Sequence, residues 1–328
     1  MAAAWRAPGR TDGRSSRLMP QSARIWIAVP TFRRPAQLRH LLETLEREVQ
    51  RDDVLLLVAD NDGVRREGAA VAADLVLRGY ALPLRAVVVE RPGLCAVRNA
   101  IAETALADPA MRQLAMIDDD EWPQSGWLDA LIACQAETGA DAVGGPVEPH
   151  FVGDRPRWTS QTLVFRPEER RAGPTPMLWA SNNLLLTRGA LERVPAPRFD
   201  PRFDRSGGED LDFLSRLRDA GGRFGWAPDA RVSEWVTPDR ARIGWVFARM
   251  WRIGFTETVS RRKRAKGPGA TLMLCARSAA ILVLRTAGLA GLLWPGARRV
   301  DIAGQWIKSW GRLYALAGGA PVRPYGAE

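Results

Sequence analysis

Three consecutive aspartates are the side chains of this sequence best suited to chemistry. Asp118, Asp119 and Asp120 follow the predicted strand 113–117, whose last four residues are apolar, and Glu121 comes next. Carboxylates this close together repel one another strongly unless a cation lies among them. Oxygen ligands of this kind suit Mg²⁺ or Mn²⁺, which commonly bridge one or two carboxylates to substrate phosphates. A solvated acidic turn is the alternative, and the position at the end of a predicted strand favours the metal site.

Two further acidic residues follow a pair of glycines. Glu209 and Asp210 come directly after Gly207 and Gly208, and a helical pattern begins with them. In one interpretation they form an acidic helix start that complements the helix dipole. In the other, a flexible glycine loop places Asp210 as a general base, because a carboxylate can deprotonate an alcohol near a metal-bound leaving group.

Polar residues also follow the predicted elements nearer the N-terminus. Asp60, Asn61 and Asp62 come after a buried strand. They form either a turn or a site where a carboxylate accepts hydrogen bonds from a base or ribose. Arg98 opens a helical pattern, where it is either a surface residue or a contact to a nucleotide base or phosphate.

The elements that carry these residues alternate between strand and helix patterns. Short apolar segments predict strands, and apolar residues at helical spacing predict helices. The predicted strands are residues 25–29, 54–59, 84–89 and 113–117, and the predicted helices are 35–49, 64–77 and 94–106. Short connections imply an α/β fold with a parallel sheet covered on both faces. Ligands of such sheets bind at the carboxyl ends of the strands, where the polar residues lie.

A second, less regular lobe follows residue 121. Its predicted helices are residues 127–137 and 209–220, and its predicted strands are 142–147, 178–186 and 232–236. The intervening residues 149–176 are rich in Pro, Arg and Trp and have no clear periodicity. The chain therefore changes character at about residue 121.

Composition restricts the kind of protein. Of 328 residues, 46% are apolar and 26% are charged, which excludes a disordered, collagenous or disulfide-stapled chain. The 3 cysteines are too few and too scattered for a disulfide framework or a zinc site. Because there are only 2 histidines, a metal site must rely on carboxylates, which favours Mg²⁺ or Mn²⁺ over zinc.

Positive charge is concentrated in the last quarter of the chain. Residues 239–328 contain 16 Lys and Arg against 4 Asp and Glu, a net charge of +12, and the preceding residues carry −2. Such an excess predicts nucleic acid or an anionic membrane surface as a partner. Residues 272–294 are almost wholly apolar and follow the basic run 261–266. A nucleic-acid surface has no use for a long apolar segment, so we predict an anionic membrane surface and no nucleic acid.

Residues 272–294 have three interpretations. They form an interfacial or re-entrant membrane helix, a true span, or a buried packing helix. The segment is long enough to cross about 30 Å of hydrocarbon. Arg285 would then lie near the middle of the membrane, at a cost of about 2.5–3.5 kcal/mol. This cost favours the interfacial helix.

In their order, these motifs resemble family 2 glycosyltransferases of the GT-A fold. The resemblance covers about residues 25–240. Its motifs are residues 29–34 (Val-Pro-Thr-Phe-Arg-Arg), 60–62 (Asp-Asn-Asp), 98–99 (Arg-Asn), 118–120 (Asp-Asp-Asp) and 208–210 (Gly-Glu-Asp). The resemblance implies an inverting transfer of a sugar from a nucleoside-diphosphate donor.

The resemblance also implies a role for each matched residue. The nucleotide-sugar-binding residues are Pro30, Thr31, Asp60, Arg98, Asp118, Asp119 and Asn182. By this resemblance, Thr31 and Asp60 would lie at the base, Asp118 would touch the ribose, and Asn182 would line the pocket beneath the donor sugar. Asp120 would hold the divalent ion. Asp210 would be the catalytic base, with Glu209 beside it.

One residue of the family pattern is absent. Many members carry a histidine after the base helix as a further metal ligand. Here residues 232–235 read Val-Ser-Glu-Trp. Glu234 is the candidate substitute.

We therefore expect a metal-dependent inverting glycosyltransferase, peripheral or monotopic at the cytoplasmic face of a bacterial inner membrane. Its acceptor would be a hydroxyl of a polysaccharide, lipopolysaccharide or lipid-linked glycan. The alternatives are a catalytically inactive nucleotide-sugar-binding or scaffold protein and a sugar nucleotidyltransferase. The second is disfavoured because no glycine-rich phosphate loop follows the first strand.

The expected organisation has three parts. Residues 1–23 form a disordered leader, and residues 239–328 form a basic helical region that associates with membranes. Between them lies a GT-A domain, residues 24–238. Its nucleotide-binding half is 24–121 and its acceptor half is 122–238.

Overall fold

The structure, a computed structural model, describes residues 3–4, 24–204 and 206–320. Two compact units make up the chain. The first takes in the residues up to Val147 together with Glu168–Pro201 and Phe213–Glu234. The second comprises Glu148–Pro167, Arg202–Asp212 and the chain from Trp235 onward. The leader predicted over residues 1–23 lies outside the described residues, apart from Ala3–Ala4.

Strands and helices follow one another along most of the described chain. The strands are β1 (Ala3–Ala4), β2 (Ile25–Thr31), β3 (Val54–Asp60), β4 (Leu84–Val88), β5 (Gln113–Ile117), β6 (Glu121–Pro123), β7 (Ala142–Gly144), β8 (Val147–Phe151), β9 (Gly173–Thr175), β10 (Asn183–Thr187), β11 (Phe224–Trp226) and β12 (Val232–Val236). The helices are α1 (Pro35–Glu48), α2 (Glu67–Leu77), α3 (Leu94–Leu106), α4 (Trp127–Thr138), α5 (Arg188–Arg193), α6 (Glu209–Asp219), α7 (Ile243–Arg264), α8 (Gly267–Gly288) and α9 (Arg299–Leu316).

A nine-stranded sheet forms the centre of the first unit, in the order β1-β4-β3-β2-β5-β10-β7-β11-β9. The four predicted strands β2, β3, β4 and β5 are parallel, as expected. However, β10 is antiparallel to both β5 and β7. The sheet is therefore mixed rather than parallel throughout. The sequence did not predict this direction, because an apolar pattern identifies a buried strand without fixing its direction.

One predicted strand is divided in two. Residues 142–147 were expected to form a single strand, but β7 ends at Gly144 and β8 begins at Val147. A β-carbon added to Gly145 would lie 2.2 Å from the carbonyl oxygen of Ala230. Pro146 has no N–H to donate to a neighbouring strand. The two residues therefore make a close-packed break in the strand.

The register of the strands collects the motif residues at one edge of the sheet. Thr31 lies opposite Asp60 across the β2–β3 pair. Asn183 lies opposite Ile117 across the β5–β10 pair. Residues 118 and 182 therefore leave adjacent strand ends, and the polar residues lie where the sequence predicts a ligand site.

Buried apolar side chains of the strands and of the helices packed on them hold this edge of the sheet in place. The aliphatic residues of β2, β3 and β5 share one core with side chains of α1, α2 and α4. From α1 this core takes Leu38, Leu41, Leu42 and Leu45, which recur at helical spacing. The strand ends are thus held by close-packed elements on which a site can be built with precision.

A second sheet has the order β6-β12-β8. Its first pair is antiparallel, and it places Glu121 of β6 opposite Glu234 of β12. Like charges directly opposite each other in a sheet are unfavourable. This pairing therefore brings one more carboxylate towards the acidic residues at 118–121.

Three long helices, α7, α8 and α9, dominate the second unit. The backbones of α7 and α9 approach closely at glycines. A β-carbon on Gly254 would lie 2.0 Å from the carbonyl oxygen of Lys308, so no larger residue fits there. Glu257 of α7 accepts hydrogen bonds from Lys308 at 2.6 Å and from Arg312 at 3.2 Å, which fixes the register of the pair.

The apolar helix of the second unit begins earlier than the sequence suggests. Among the described residues, the segment Gly267–Leu293 is the one helix long and apolar enough, by length and composition, to cross a membrane. Only 6% of its most apolar 18-residue stretch is buried. The Trp306 indole of α9 donates a hydrogen bond to Thr286 of α8 at 3.0 Å, so α9 contacts one side of α8.

Candidate active site

Thr31 and Asp119 are joined by a hydrogen bond at the edge of the nine-stranded sheet. The Thr31 hydroxyl donates to Asp119 Oδ2 at 2.8 Å, and both side chains are buried. The backbone N–H of Phe32 donates to the same oxygen at 3.4 Å. The middle aspartate of the triplet therefore ties the end of β2 to the loop after β5.

Arg34 contacts two carboxylates of the triplet at once. Its Nη1 lies 3.0 Å from Asp119 Oδ1 and 2.8 Å from Asp120 Oδ2. The Arg34 side chain is 34% exposed, whereas those of Asp119 and Asp120 are 6% and 11% exposed. The sequence motif contains Arg34, but nothing in its spacing indicated this contact, because the partners lie 85 and 86 residues away.

These contacts shift the ionisation of both partners. Burial raises the pKa of Asp119 to about 6, and repulsion from Asp120 adds to the shift while Arg34 opposes it. Burial alone would lower the pKa of Arg34, but the charges of Asp119 and Asp120 outweigh it and raise that pKa above its ordinary value. The guanidinium therefore stays charged, and it is the counter-ion of a buried carboxylate pair.

Arg98 reaches the first aspartate of the triplet. Its Nη2 lies 3.6 Å from Asp118 Oδ1, and its side chain is 5% exposed. Asp118 is more open, with 34% of its side chain exposed. The structure thus brings together two residues that the sequence predicts at the nucleotide, one buried and one facing solvent.

Glu121 connects the triplet to Asn182. One carboxylate oxygen accepts the backbone N–H of Asp118 at 3.2 Å, and the other accepts the side-chain amide of Asn182. Glu121 is 1% exposed, although an acidic residue beside an acidic turn is usually a surface group. Burial raises its pKa well above the ordinary value, and repulsion from Asp118, Glu234 and Asp120 adds to the shift.

The neighbouring Asn183 anchors the loop that carries Asn182. Its Oδ1 accepts a hydrogen bond from the Trp127 indole at 2.8 Å. Its Nδ2 donates to the carbonyl oxygens of Pro146 at 3.1 Å and Ala230 at 2.7 Å. Asn183 therefore holds three segments of the first unit together.

Asp60 is fully buried at the end of β3. Its two oxygens accept the backbone N–H groups of Asp62 at 3.0 Å and Ala69 at 2.9 Å. A β-carbon on Gly68 would lie 2.5 Å from the Thr31 side chain and 3.1 Å from the Asp60 carboxylate, so α2 closes tightly over both. In this arrangement Asp60 orders the loop before α2. Its contact with a base stays a prediction, as does the role of the half-buried Pro30 in β2.

The acidic residues of the first unit have the chemistry of a hard-cation site. Residues 118–121 supply four carboxylates, and Arg34 and Arg98 are among the cations that contact them. Among the described residues, no group of three or more His, Cys, Asp or Glu side chains is arranged to hold a metal by itself. Such a site would take one or two carboxylates and complete its shell with substrate phosphates and water, the usual arrangement for Mg²⁺.

Glu209 and Asp210 belong to the second unit, where they begin α6. Glu209 is buried and Asp210 is partly exposed. The two preceding glycines have φ angles of +70° and +91°, which other residues rarely adopt. A β-carbon on Gly208 would lie 2.6 Å from Thr256 Cβ of α7, so the turn also needs glycine for space.

Comparison with known proteins decides the family. The sequence model described as "Glycosyl transferase family 2" matches residues 26–191. The succinoglycan biosynthesis protein ExoM of Rhizobium meliloti (strain 1021) is 31% identical over an aligned length of 326 residues, and the alignment covers 94% of this chain and 97% of ExoM. The chain belongs to glycosyl transferase family 2. The predicted family membership is therefore confirmed, and the chain is a glycosyltransferase.

Solved structures confirm the predicted fold of this family 2 chain. The mannosyltransferase PcManGT from Pyrobaculum calidifontis, solved with GDP-Man and Mn²⁺, is 19% identical, with a TM-score of 0.59 over 89% of this chain and 87% of that one. GalNAc-T7, solved with UDP, GalNAc and Mn²⁺, is 12% identical, with a TM-score of 0.54 over 74% of this chain and 50% of that one. The fold is GT-A.

The family match covers the triplet but not the acidic pair. Residues 26–191 include the triplet 118–120 and Asn182, and the match ends before the acidic pair at 209–210. The roles of the individual residues therefore stay predictions.

Proposed function

We propose that this protein is a metal-dependent inverting glycosyltransferase. It moves a sugar from a nucleoside-diphosphate donor to a hydroxyl of a polysaccharide, lipopolysaccharide or lipid-linked glycan. One observation carries the proposal: a family 2 chain keeps an ordered acidic edge, in which Thr31, Asp119 and Arg34 form one connected set. The likeness to ExoM, a succinoglycan biosynthesis protein, supports a polysaccharide acceptor.

The donor is bound by the edge residues of the first unit. Asp118 is the most exposed aspartate of the triplet, and it is the group that contacts the ribose. Arg98 lies beside it and carries the positive charge that an anionic nucleotide attracts. Asn182, held through Glu121, lies beneath the donor sugar. Pro30, Thr31, Asp60 and Asp119 shape the base-binding end of this site.

Asp120 is the residue that would hold Mg²⁺ or Mn²⁺. Two proteins of the same fold were solved with Mn²⁺ and a nucleotide or nucleotide sugar, which supports a divalent ion here. When bound, the ion would neutralise the negative charge that develops on the departing diphosphate. Glu234 lies opposite Glu121 in the β6–β12 pair, and its charge adds to the negative potential of this edge.

Asp210 takes the proton of the attacking hydroxyl. Its partial exposure leaves it accessible to solvent, whereas Glu209 is buried and supports the turn. Direct attack by a deprotonated hydroxyl on the anomeric carbon inverts its configuration. General-base assistance of this kind contributes about 10²–10⁴-fold to a rate.

The second unit provides the membrane contact, at the cytoplasmic face of a bacterial inner membrane. The exposed apolar side chains of α8 include Leu272, Met273, Val283 and Leu284. Successive residues of an α-helix are rotated by about 100° around its axis, so these four side chains lie within an arc of about 120° on the surface of α8. Arg277 borders this arc and Arg285 lies outside it. These exposed apolar side chains suit an in-plane interfacial helix on an anionic bilayer, peripheral or monotopic.

A donor screen tests this function. Thermal shift with a panel of UDP-, GDP- and dTDP-sugars in Mn²⁺ identifies the donor, and the radiolabelled donor is then incubated with bacterial membrane extract. Metal-dependent stabilisation by one donor, with label transferred to extractable glycan, is the expected result. Stabilisation without transfer would indicate a nucleotide-sugar-binding protein that has lost catalysis. No stabilisation by any donor would contradict the proposal.

A further inference from the structure

Arg34 already occupies the place of a cation at the acidic edge. A single nitrogen, Nη1, lies within 3.0 Å of oxygens from both Asp119 and Asp120. The oxygen it contacts on Asp120 is Oδ2, on the residue proposed to hold the metal. A divalent ion and a guanidinium cannot both approach that oxygen without repelling each other strongly.

The backbone of Arg34 is held in place, whereas its guanidinium group is partly exposed to solvent. It directly precedes Pro35, the first residue of α1, and its carbonyl oxygen accepts the N–H of Leu38 at 3.0 Å. About a third of its side chain is exposed. The guanidinium can therefore turn towards an incoming anion without any change in the fold.

We propose that Arg34 makes metal binding conditional on the nucleotide. This inference rests on the proposed function. Without donor, Arg34 neutralises Asp119 and Asp120 and weakens the binding of a free divalent ion. A nucleoside diphosphate brings phosphate oxygens that a guanidinium binds well. With that anion present, Arg34 and the ion each have a partner, so metal and nucleotide bind together rather than separately.

The opposing interpretation is a purely structural ion pair. Arg34 would then only tie the start of α1 to the loop after β5. Its loss would lower the melting temperature and would leave the affinity for a divalent ion unchanged or reduced. The two interpretations therefore differ in the direction of one measurable quantity, the affinity for the ion in the absence of nucleotide.

Electron paramagnetic resonance of free Mn²⁺ measures that affinity directly on the full chain. Wild type, Arg34→Gln and Arg34→Lys are titrated with Mn²⁺ alone and with Mn²⁺ plus UDP or GDP. Removal of a unit charge in contact with the ligand changes a binding constant by more than tenfold at an effective dielectric of about 20. We therefore expect Arg34→Gln to bind Mn²⁺ alone at least about tenfold more tightly than wild type.

Linkage adds a second expectation. In wild type the nucleotide raises the affinity for Mn²⁺, and in Arg34→Gln this coupling factor falls, whichever ligand is titrated first. Arg34→Lys keeps the charge and stays close to wild type in its affinity for Mn²⁺ alone. Arg33→Gln is the matched control, because Arg33 contacts Asp62 at 2.8 Å and belongs to a different ion pair.

Each outcome decides the inference. Unchanged or weaker Mn²⁺ binding by folded Arg34→Gln overturns it. If wild type still binds Mn²⁺ with nucleotide in that case, the proposed function stands. Should Arg34→Gln fail to fold, Arg34→Met, which keeps the aliphatic stem without the charge, is titrated with Mn²⁺ alone in its place. Unchanged or weaker binding than wild type overturns the inference, and at least about tenfold tighter binding supports it. If wild type binds no Mn²⁺ even with nucleotide, the proposed metal site and this inference both fail.

Discussion

Lys263 Nζ lies 2.8 Å from Oδ2 and 3.0 Å from Oδ1 of Asp212, whose side chain is fully buried. The same ammonium group lies 5.7 Å from the centre of the Phe203 ring. Asp212 is in the first turns of α6, two residues after the proposed base Asp210. A residue of the basic C-terminal region therefore fixes the segment that carries the acidic pair.

This ion pair corrects part of the sequence-based interpretation. The basic run 261–266 was expected to face an anionic membrane surface, but Lys263 is directed into the second unit and neutralises a buried carboxylate. Burial also lowers the pKa of Arg261 in the same run. Some side chains of the basic run are therefore directed into the protein rather than towards solvent, because successive residues of an α-helix point to different sides of it.

Replacement of Lys263 by methionine should destabilise the protein strongly. The substitution removes the Lys263 charge from contact with a buried carboxylate, and breaking a buried ion pair typically costs about 3–5 kcal/mol. The double variant Lys263→Met with Asp212→Leu removes both charges and should recover most of that loss. Urea unfolding of the three proteins measures the free energies. A loss below about 1 kcal/mol in the single variant, as for an exposed pair, would contradict the burial described here.

Gly208 and Gly221 offer a matched test of the turn before α6. Both have positive φ angles, +91° and +81°, but an added β-carbon meets Thr256 at 2.6 Å only at Gly208, and nothing lies within 4 Å at Gly221. Gly221→Ala should therefore cost about 1–2 kcal/mol from backbone strain alone. Gly208→Ala adds a steric clash and should cost more in urea unfolding. Equal losses would mean that the turn yields without displacing α7.

Polar substitutions of the exposed apolar side chains of α8 should weaken membrane binding. The triple variant Leu272→Asn, Val283→Asn and Leu284→Asn removes apolar surface, and burial of such side chains contributes about 1.5–3 kcal/mol each when complete. Flotation with vesicles of phosphatidylglycerol and phosphatidylethanolamine should show at least about a tenfold loss of binding. Val64→Asn alters an equally exposed apolar residue of the first unit and should bind normally. Resistance of wild type to alkaline extraction would instead indicate a spanning helix.

Asp120→Ala should abolish Mn²⁺-dependent binding of the nucleoside diphosphate. The neighbouring carboxylates remain, but none replaces the position of Asp120 at the end of the triplet. Calorimetry with the nucleoside diphosphate of the donor found in the screen, with and without Mn²⁺, measures the effect. Asp129→Ala, an exposed acidic residue of α4, is the control and should bind as wild type does. Unchanged Mn²⁺-dependent binding by Asp120→Ala would mean that residues 118–120 form an acidic turn and not a metal site.

The sequence predicted the site-bearing half of the fold because its signals are local. Apolar strands and amphipathic helices alternate from residue 25 to residue 117, and parallel pairing then places Thr31, Asp60 and Asp118 at one edge. The family motifs at residues 29–34, 60–62 and 118–120 lie on that edge for the same reason, whereas the motif at 208–210 belongs to the second unit. The expected α/β GT-A architecture followed from these elements.

Contacts between distant residues could not be predicted in this way. Arg34 meets its partners 85 and 86 residues further along the chain, and no spacing rule encodes that distance. Glu121 directly follows the triplet in the sequence, and nothing in the local pattern indicates that it is buried between Asn182 and the Asp118 backbone. The direction of β10 depends on tertiary pairing, so the mixed sheet was also missed. Such features arise from packing rather than from local pattern.

The most direct test of the account is the rate of sugar transfer by Asp210→Asn. Asparagine is nearly isosteric with aspartate but cannot accept the proton of the acceptor hydroxyl. With the donor found in the screen and membrane extract as acceptor, the initial rate should fall by about 10²–10⁴-fold. Donor affinity should stay close to that of wild type, because the donor-binding residues belong to the first unit. A normal rate with a slightly lowered melting temperature would make Asp210 a helix-start residue only, and would contradict the proposed mechanism.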